Sequence, residues 1–150
     1  MENWKNIRQF TRGMQQARAA CEEAWSLLEE NGNLRLVANS LYHIYYATVM
    51  ALLHSVGAGP SMEPPSVAQL EQLFGGTGII DERFFPLIRR AFDLRPKHPL
   101  AAPLPMNRTR LVAMLQEAQS FYLAVTAAAE QGLLDGLTAD RRGLAVVINA

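Results

Sequence analysis

Arg95, Lys97 and His98 form the one compact group in this 150-residue sequence that joins cations to a titratable base. Cleavage of RNA without a metal needs a base to take the 2′-hydroxyl proton and a cation beside the phosphate. His98 could do the first, and Arg95 or Lys97 the second. The plainer alternative is an arginine that ends a helix by pairing with a carboxylate or capping carbonyls, followed by two solvated loop residues. Pro96 disfavours helix at Arg95, and a helix there would have to present both side chains on one face.

The other candidates divide in the same way. Asn39, His43 and His54 make a narrow polar stripe on an otherwise apolar segment. His43 and His54 are about 16 Å apart along a helix at 1.5 Å per residue, too far to share one metal ion. His43 is then a packing or surface residue rather than a base. Tyr42, Tyr45 and Tyr46 read as core or interface aromatics, with base stacking in a nucleotide pocket as the functional alternative. Arg89 and Arg90 could hold phosphate, or form a solvated face offset by Glu82 and Asp93 on the same helix. Gly75, Gly76 and Gly78 lack both the GxxxxGK[ST] pattern and a preceding strand, so a phosphate cradle is a weak reading. No GxSxG, HExxH, CxxC or paired-carboxylate pattern occurs, and neither a metal nor a cofactor is expected.

These residues must be positioned by helices. Val37, Leu41, Ile44, Thr48 and Leu52 recur at three- and four-residue steps within Leu36 to Val56. The segment is apolar over most of its circumference, which suits the central helix of a domain. Before it, Ile7, Phe10, Met14, Ala17, Cys21, Ala24 and Leu28 form a heptad seam from about Trp4 to Glu30. Trp25 widens that stripe, and Gly32 suits a left-handed C-terminal cap. A short helix is expected at Ser66 to Phe74 with Ser66 as N-cap, and another from Asp81 to Leu94 with Asp81 as N-cap. Pro86 falls early enough in that helix to be tolerated or to delay its start. The stretches GAGPSMEPPS and RPKHPLAAPLP read as proline-rich connections. A last long helix follows Asn107 and closes at Gly132. The tail from Leu133, with its run LAVVINA, could dock as a strand or short helix, or fray. The expectation is an all-α, antiparallel up-and-down bundle of four main helices plus a short one, over residues 1–132.

Bulk properties limit the partners. Lys and Arg total 14, as do Asp and Glu, so no broad basic surface for nucleic acid is expected. One cysteine excludes an internal disulfide framework. The first ten residues lack a signal peptide's apolar run, and no stretch approaches about 18 uninterrupted apolar residues. The expectation is a cytoplasmic protein with no membrane partner.

The order of features resembles the HEPN domain, in particular its small stand-alone prokaryotic members. Ala38, Asn39, Tyr42 and the run Ala51-Leu52-Leu53 match the pattern of the second helix. Phe74, Thr77, Gly78, Ile79, Ile80 and Asp81 match the segment after it. Leu87, Arg90, Ala91, Phe92, Asp93, Leu94 and Arg95 match the end of the next helix. The resemblance spans about residues 8 to 130. It implies an α-helical bundle that dimerises, with two Arg and His clusters converging in a cleft. It also implies a minimal nucleotidyltransferase as partner, in a toxin–antitoxin or defence-type system.

The sequence departs from the pattern at Ser40, where the family has Arg, and at His43, where it has a second Tyr. Ribonuclease members separate Arg from His by four to six residues, whereas only Pro96 and Lys97 separate Arg95 from His98. The leading expectation is therefore a catalytically degenerate HEPN-like module that binds a nucleotide, RNA or partner protein. Its ligand-binding candidates are Lys97, Arg90, Arg89, Tyr42, Asn39 and His43. A metal-independent ribonuclease using Arg95 and His98 is the first alternative. A dimeric scaffold is the second. A homodimer is expected through the apolar face of the first or second helix.

Overall fold

The computed structural model describes residues 2–58, 67–93 and 107–134. The Ser66 cap, most of the two proline-rich stretches and the LAVVINA run lie outside the described residues. Five helices occur among them: α1 (Glu2–Glu29), α2 (Leu34–Ser55), α3 (Val67–Phe74), α4 (Phe84–Phe92) and α5 (Arg108–Glu130). The protein is all-α, as its periodicities require.

Helix α2 is the centre. Val37, Leu41, Ile44, Val49, Ala51, Leu52 and Leu53 are fully buried. Thr48 is buried too, and its hydroxyl donates to the Ile44 carbonyl at 2.7 Å, which removes the cost of an unpaired polar group. By length and composition α2 could cross a membrane, but 72 % of its most apolar window is buried inside the protein. The bundle's own core accounts for that apolarity.

Helix α1 returns along α2 as an antiparallel hairpin. Small residues let the two backbones meet. A Cβ at Gly13 would lie 2.9 Å from Ala51 Cβ and 3.2 Å from the Ala47 carbonyl oxygen. Met14, Ala17, Cys21, Ala24 and Leu28 of the heptad seam are buried in the protomer, while Ile7 at its start is exposed. The apolar faces of α1 and α2 are used inside the chain because α2 needs cover on nearly every side.

The α1–α2 turn also differs from expectation. Asn31, not Gly32, takes the left-handed conformation, with φ 54°. Asn31 N–H donates to the Leu28 carbonyl at 3.2 Å and Gly32 N–H to the Leu27 carbonyl at 2.6 Å, the two bonds of a Schellman motif. Asparagine tolerates that conformation. Gly32 is needed because a Cβ there would come within 2.9 Å of the Leu27 carbonyl oxygen. Asn33 then caps α2, its side chain accepting from Arg35 N–H at 2.8 Å.

Helices α4 and α5 complete an up-down-up-down order. Tyr45 of α2 stacks on Phe121 of α5, with ring centroids 5.7 Å apart, and Phe84 of α4 meets the same ring at 5.3 Å. Helix α4 is shorter than expected at both ends. Asp81 accepts from Arg83 N–H at 2.9 Å, but Arg83 holds the cap position and the helix starts at Phe84. Pro86 falls in the first turn, where no N–H is required. Leu134, assigned to the tail from the sequence, is buried in the core.

Candidate functional site

The segment linking α3 to α4 carries the TGIID residues, and each has a structural task. Thr77 hydroxyl donates to the Phe74 carbonyl at 2.7 Å and accepts from Ile79 N–H at 3.2 Å. Gly78 adopts φ 77°, which a side chain would strain. Ile80 is buried. The N–H groups of Gly75 and Thr77 already donate to the Glu71 and Phe74 carbonyls. With these N–H groups engaged, the glycine cluster serves a turn rather than a phosphate cradle.

The antiparallel packing of α4 on α5 brings distant residues together. Arg90 Nη2 donates to Glu117 Oε1 at 2.8 Å. The pair borders an open depression of about 490 Å³ lined by Arg90, Arg110, Ala113, Met114, Gln116, Glu117 and Ser120. Arg110 stands in the first turn of α5, where its N–H donates to the Asn107 cap at 3.2 Å. Its guanidinium has no ion-pair partner among the described residues. Tyr45, buried in the core and not part of the lining, feels the same two charges. Burial pushes its phenol well above the usual range, Glu117 adds to the rise and Arg90 opposes it. Tyr45 therefore keeps its proton at neutral pH.

This arrangement can hold an anion. Arg110, the remaining donors of Arg90, the Gln116 amide and the Ser120 hydroxyl border one concavity, and the one carboxylate of the described lining is neutralised by Arg90. Among the described residues the lining holds no histidine. Arg95, Lys97 and His98 lie outside the described residues, within the 94–106 segment that joins α4 to α5.

The remaining candidates are dispersed. Arg89 pairs with Glu71 of α3. Both arginines of the pair thus find their carboxylates on neighbouring helices, not at Glu82 and Asp93 as expected. Tyr42 is buried and packs on Phe92 at 5.8 Å, so it is a core residue. Asn39 and His43 are exposed on α2, with the His43 ring edge-on to Tyr42 at 5.4 Å. Burial pushes the His54 imidazole below its ordinary value. Cys21 is buried, and burial pushes its thiol up against the opposing hydrogen bond to Trp25, so it is not poised as a nucleophile. No group of metal-ligating side chains occurs among the described residues.

The sequence matches no protein-family model and no curated protein.

Proposed function

We propose that this chain is a HEPN-like helical module that binds the phosphate groups of a nucleotide or RNA at the α4–α5 depression without cleaving them. The observation that carries this reading is Arg110, which among the described residues has no ion-pair partner and borders a concavity whose one described carboxylate is already bonded to Arg90. Phosphate binding needs convergent donors and positive charge, which Arg110, Arg90, Gln116 and Ser120 supply. Cleavage needs a positioned base as well. The described lining offers none, since Glu117 is held by Arg90 and Tyr45 keeps its proton. The shortened Arg95 to His98 spacing supports the same conclusion. The resemblance adds a toxin–antitoxin or defence-type setting, with a minimal nucleotidyltransferase as partner.

Fluorescence anisotropy with a short labelled single-stranded RNA, and with a labelled nucleotide, tests the site. Arg110→Glu is expected to weaken binding about tenfold or more, the loss of one charge-assisted contact plus the added repulsion. Equal affinity in the wild type and the variant, or no binding by the wild type, overturns the assignment.

A further inference from the structure

The charges of α1 run against its own helix dipole. Apart from Glu2, its N-terminal half carries Lys5, Arg8 and Arg12, and its C-terminal end carries Glu22, Glu23 and Glu29, with Glu30 just beyond. Cations near a helix N-terminus and carboxylates near its C-terminus are both unfavourable. Lys5, Arg12, Glu23 and Glu30 are all exposed, and none has an ion-pair partner among the described residues.

Their spacing is ordered. At 100° per residue, positions 5, 12, 16, 19, 23 and 30 fall on one outward strip about 60° wide and about 38 Å long. The strip reads Lys, Arg, Gln, Ala, Glu, Glu, and it is symmetric about the point midway between Ala17 and Arg18. A twofold rotation through that point brings Lys5 opposite Glu30, Arg12 opposite Glu23, and Gln16 opposite Ala19. Ala19 at the middle permits close approach. Arg18 lies well outside the strip and pairs with Glu22 at 3.1 Å.

We infer that the outward strip of α1 is a homodimer interface, formed by two copies whose α1 helices pack antiparallel. An isologous contact requires a self-complementary patch, and this strip is one in charge and in spacing. The antiparallel arrangement also opposes the two helix dipoles, so each unfavourable end is matched by the other copy. A polyanion would meet cations on one half of the strip and carboxylates on the other. The strip lies on α1 and not on the α4–α5 depression, so the inference stands apart from the phosphate-binding reading.

Sedimentation equilibrium of the full chain at low and high salt provides the test. The expected result is a dimer that weakens as salt rises. Lys5→Glu with Arg12→Glu, and separately Glu23→Lys with Glu30→Lys, should each weaken it by about tenfold or more through like-charge contact. An equimolar mixture of the two variants should restore a one-to-one dimer, since every repulsive pair becomes attractive again. Circular dichroism checks that helicity is kept, and Arg12→Gln with Glu23→Gln serve the same comparison if a double variant loses it. A monomeric wild type, a dimer indifferent to both charge reversals, or a mixture that stays monomeric overturns the interface. Arg110→Glu should leave the dimer unchanged.

Discussion

Arg108 Nη1 donates to the Leu28 carbonyl oxygen at 2.9 Å, so the first turn of α5 closes the last turn of α1. The final carbonyls of a helix lack partners within it, and a cation there also suits the dipole. Trp25 Nε1, one turn back, donates to Gln119 Oε1 at 3.2 Å and fixes the same pair of helices. Replacing Arg108 by Ala should cost about 1–2 kcal/mol of stability, read as a lower urea midpoint at unchanged slope. Arg108→Lys should recover part of the loss. An unchanged midpoint in the Ala variant would mean that solvent replaces the contact at no cost.

Gly13 gives a case where local and tertiary preferences conflict. Alanine is favoured over glycine inside a helix by about 1 kcal/mol. Here the added Cβ would sit 2.9 Å from Ala51 Cβ, and neither neighbour has a flexible end to move. Gly13→Ala should therefore be net destabilising by about 1 kcal/mol, and Gly13→Val by more. Thermal melting decides the sign, and a rise in Tm for Gly13→Ala would show that α1 can shift off α2 freely.

The α1–α2 turn separates the tasks of two adjacent residues. Asn31 has φ 54°, so Asn31→Gly should be tolerated or slightly stabilising. Gly32→Ala should destabilise, because its Cβ meets a backbone carbonyl and not a mobile side chain. Matched denaturation curves for the two variants would refute this division if Gly32→Ala proved the milder change.

His54 links stability to pH. Its folded-state imidazole is pushed below the ordinary value by burial, so the unfolded chain binds a proton more readily. Stability contributed by the neutral side chain is present above the unfolded value near 6.5 and is lost as pH falls toward the folded value. His54→Gln should flatten the decline in stability between neutral and mildly acidic pH, although the side chain's partial exposure keeps the effect small. Urea midpoints across that range for both proteins measure it, and parallel curves would remove His54 from the explanation.

Much of the fold is legible in the sequence where one residue type decides a position. The apolar circumference around Val37, Leu41 and Ile44 places the central helix, and the periodic run after Asn107 places the last one, whose cap by the Asn107 side chain shows only in the structure. Gly32 misled, because glycine suits both a left-handed turn and a close contact, and only the packing against Leu27 tells them apart. The candidate site was half visible. Arg90 stood out beside Arg89, but Arg110, Glu117 and Ser120 are ordinary polar residues of a helix outer face. Only the antiparallel crossing of α4 and α5 brings them to Arg90. The stripe Arg110, Ala113, Glu117 and Ser120 at helical spacing was the available signal, and nothing in sequence alone distinguishes it from a solvated face.

Binding without cleavage can be read in a single incubation. Labelled RNA is mixed with purified wild-type chain or with His98→Ala, without divalent metal, and assayed for both retention and integrity. Both proteins should retain the RNA and leave it intact. Fragments produced by the wild type and absent with His98→Ala would contradict this and make Arg95 and His98 a catalytic pair.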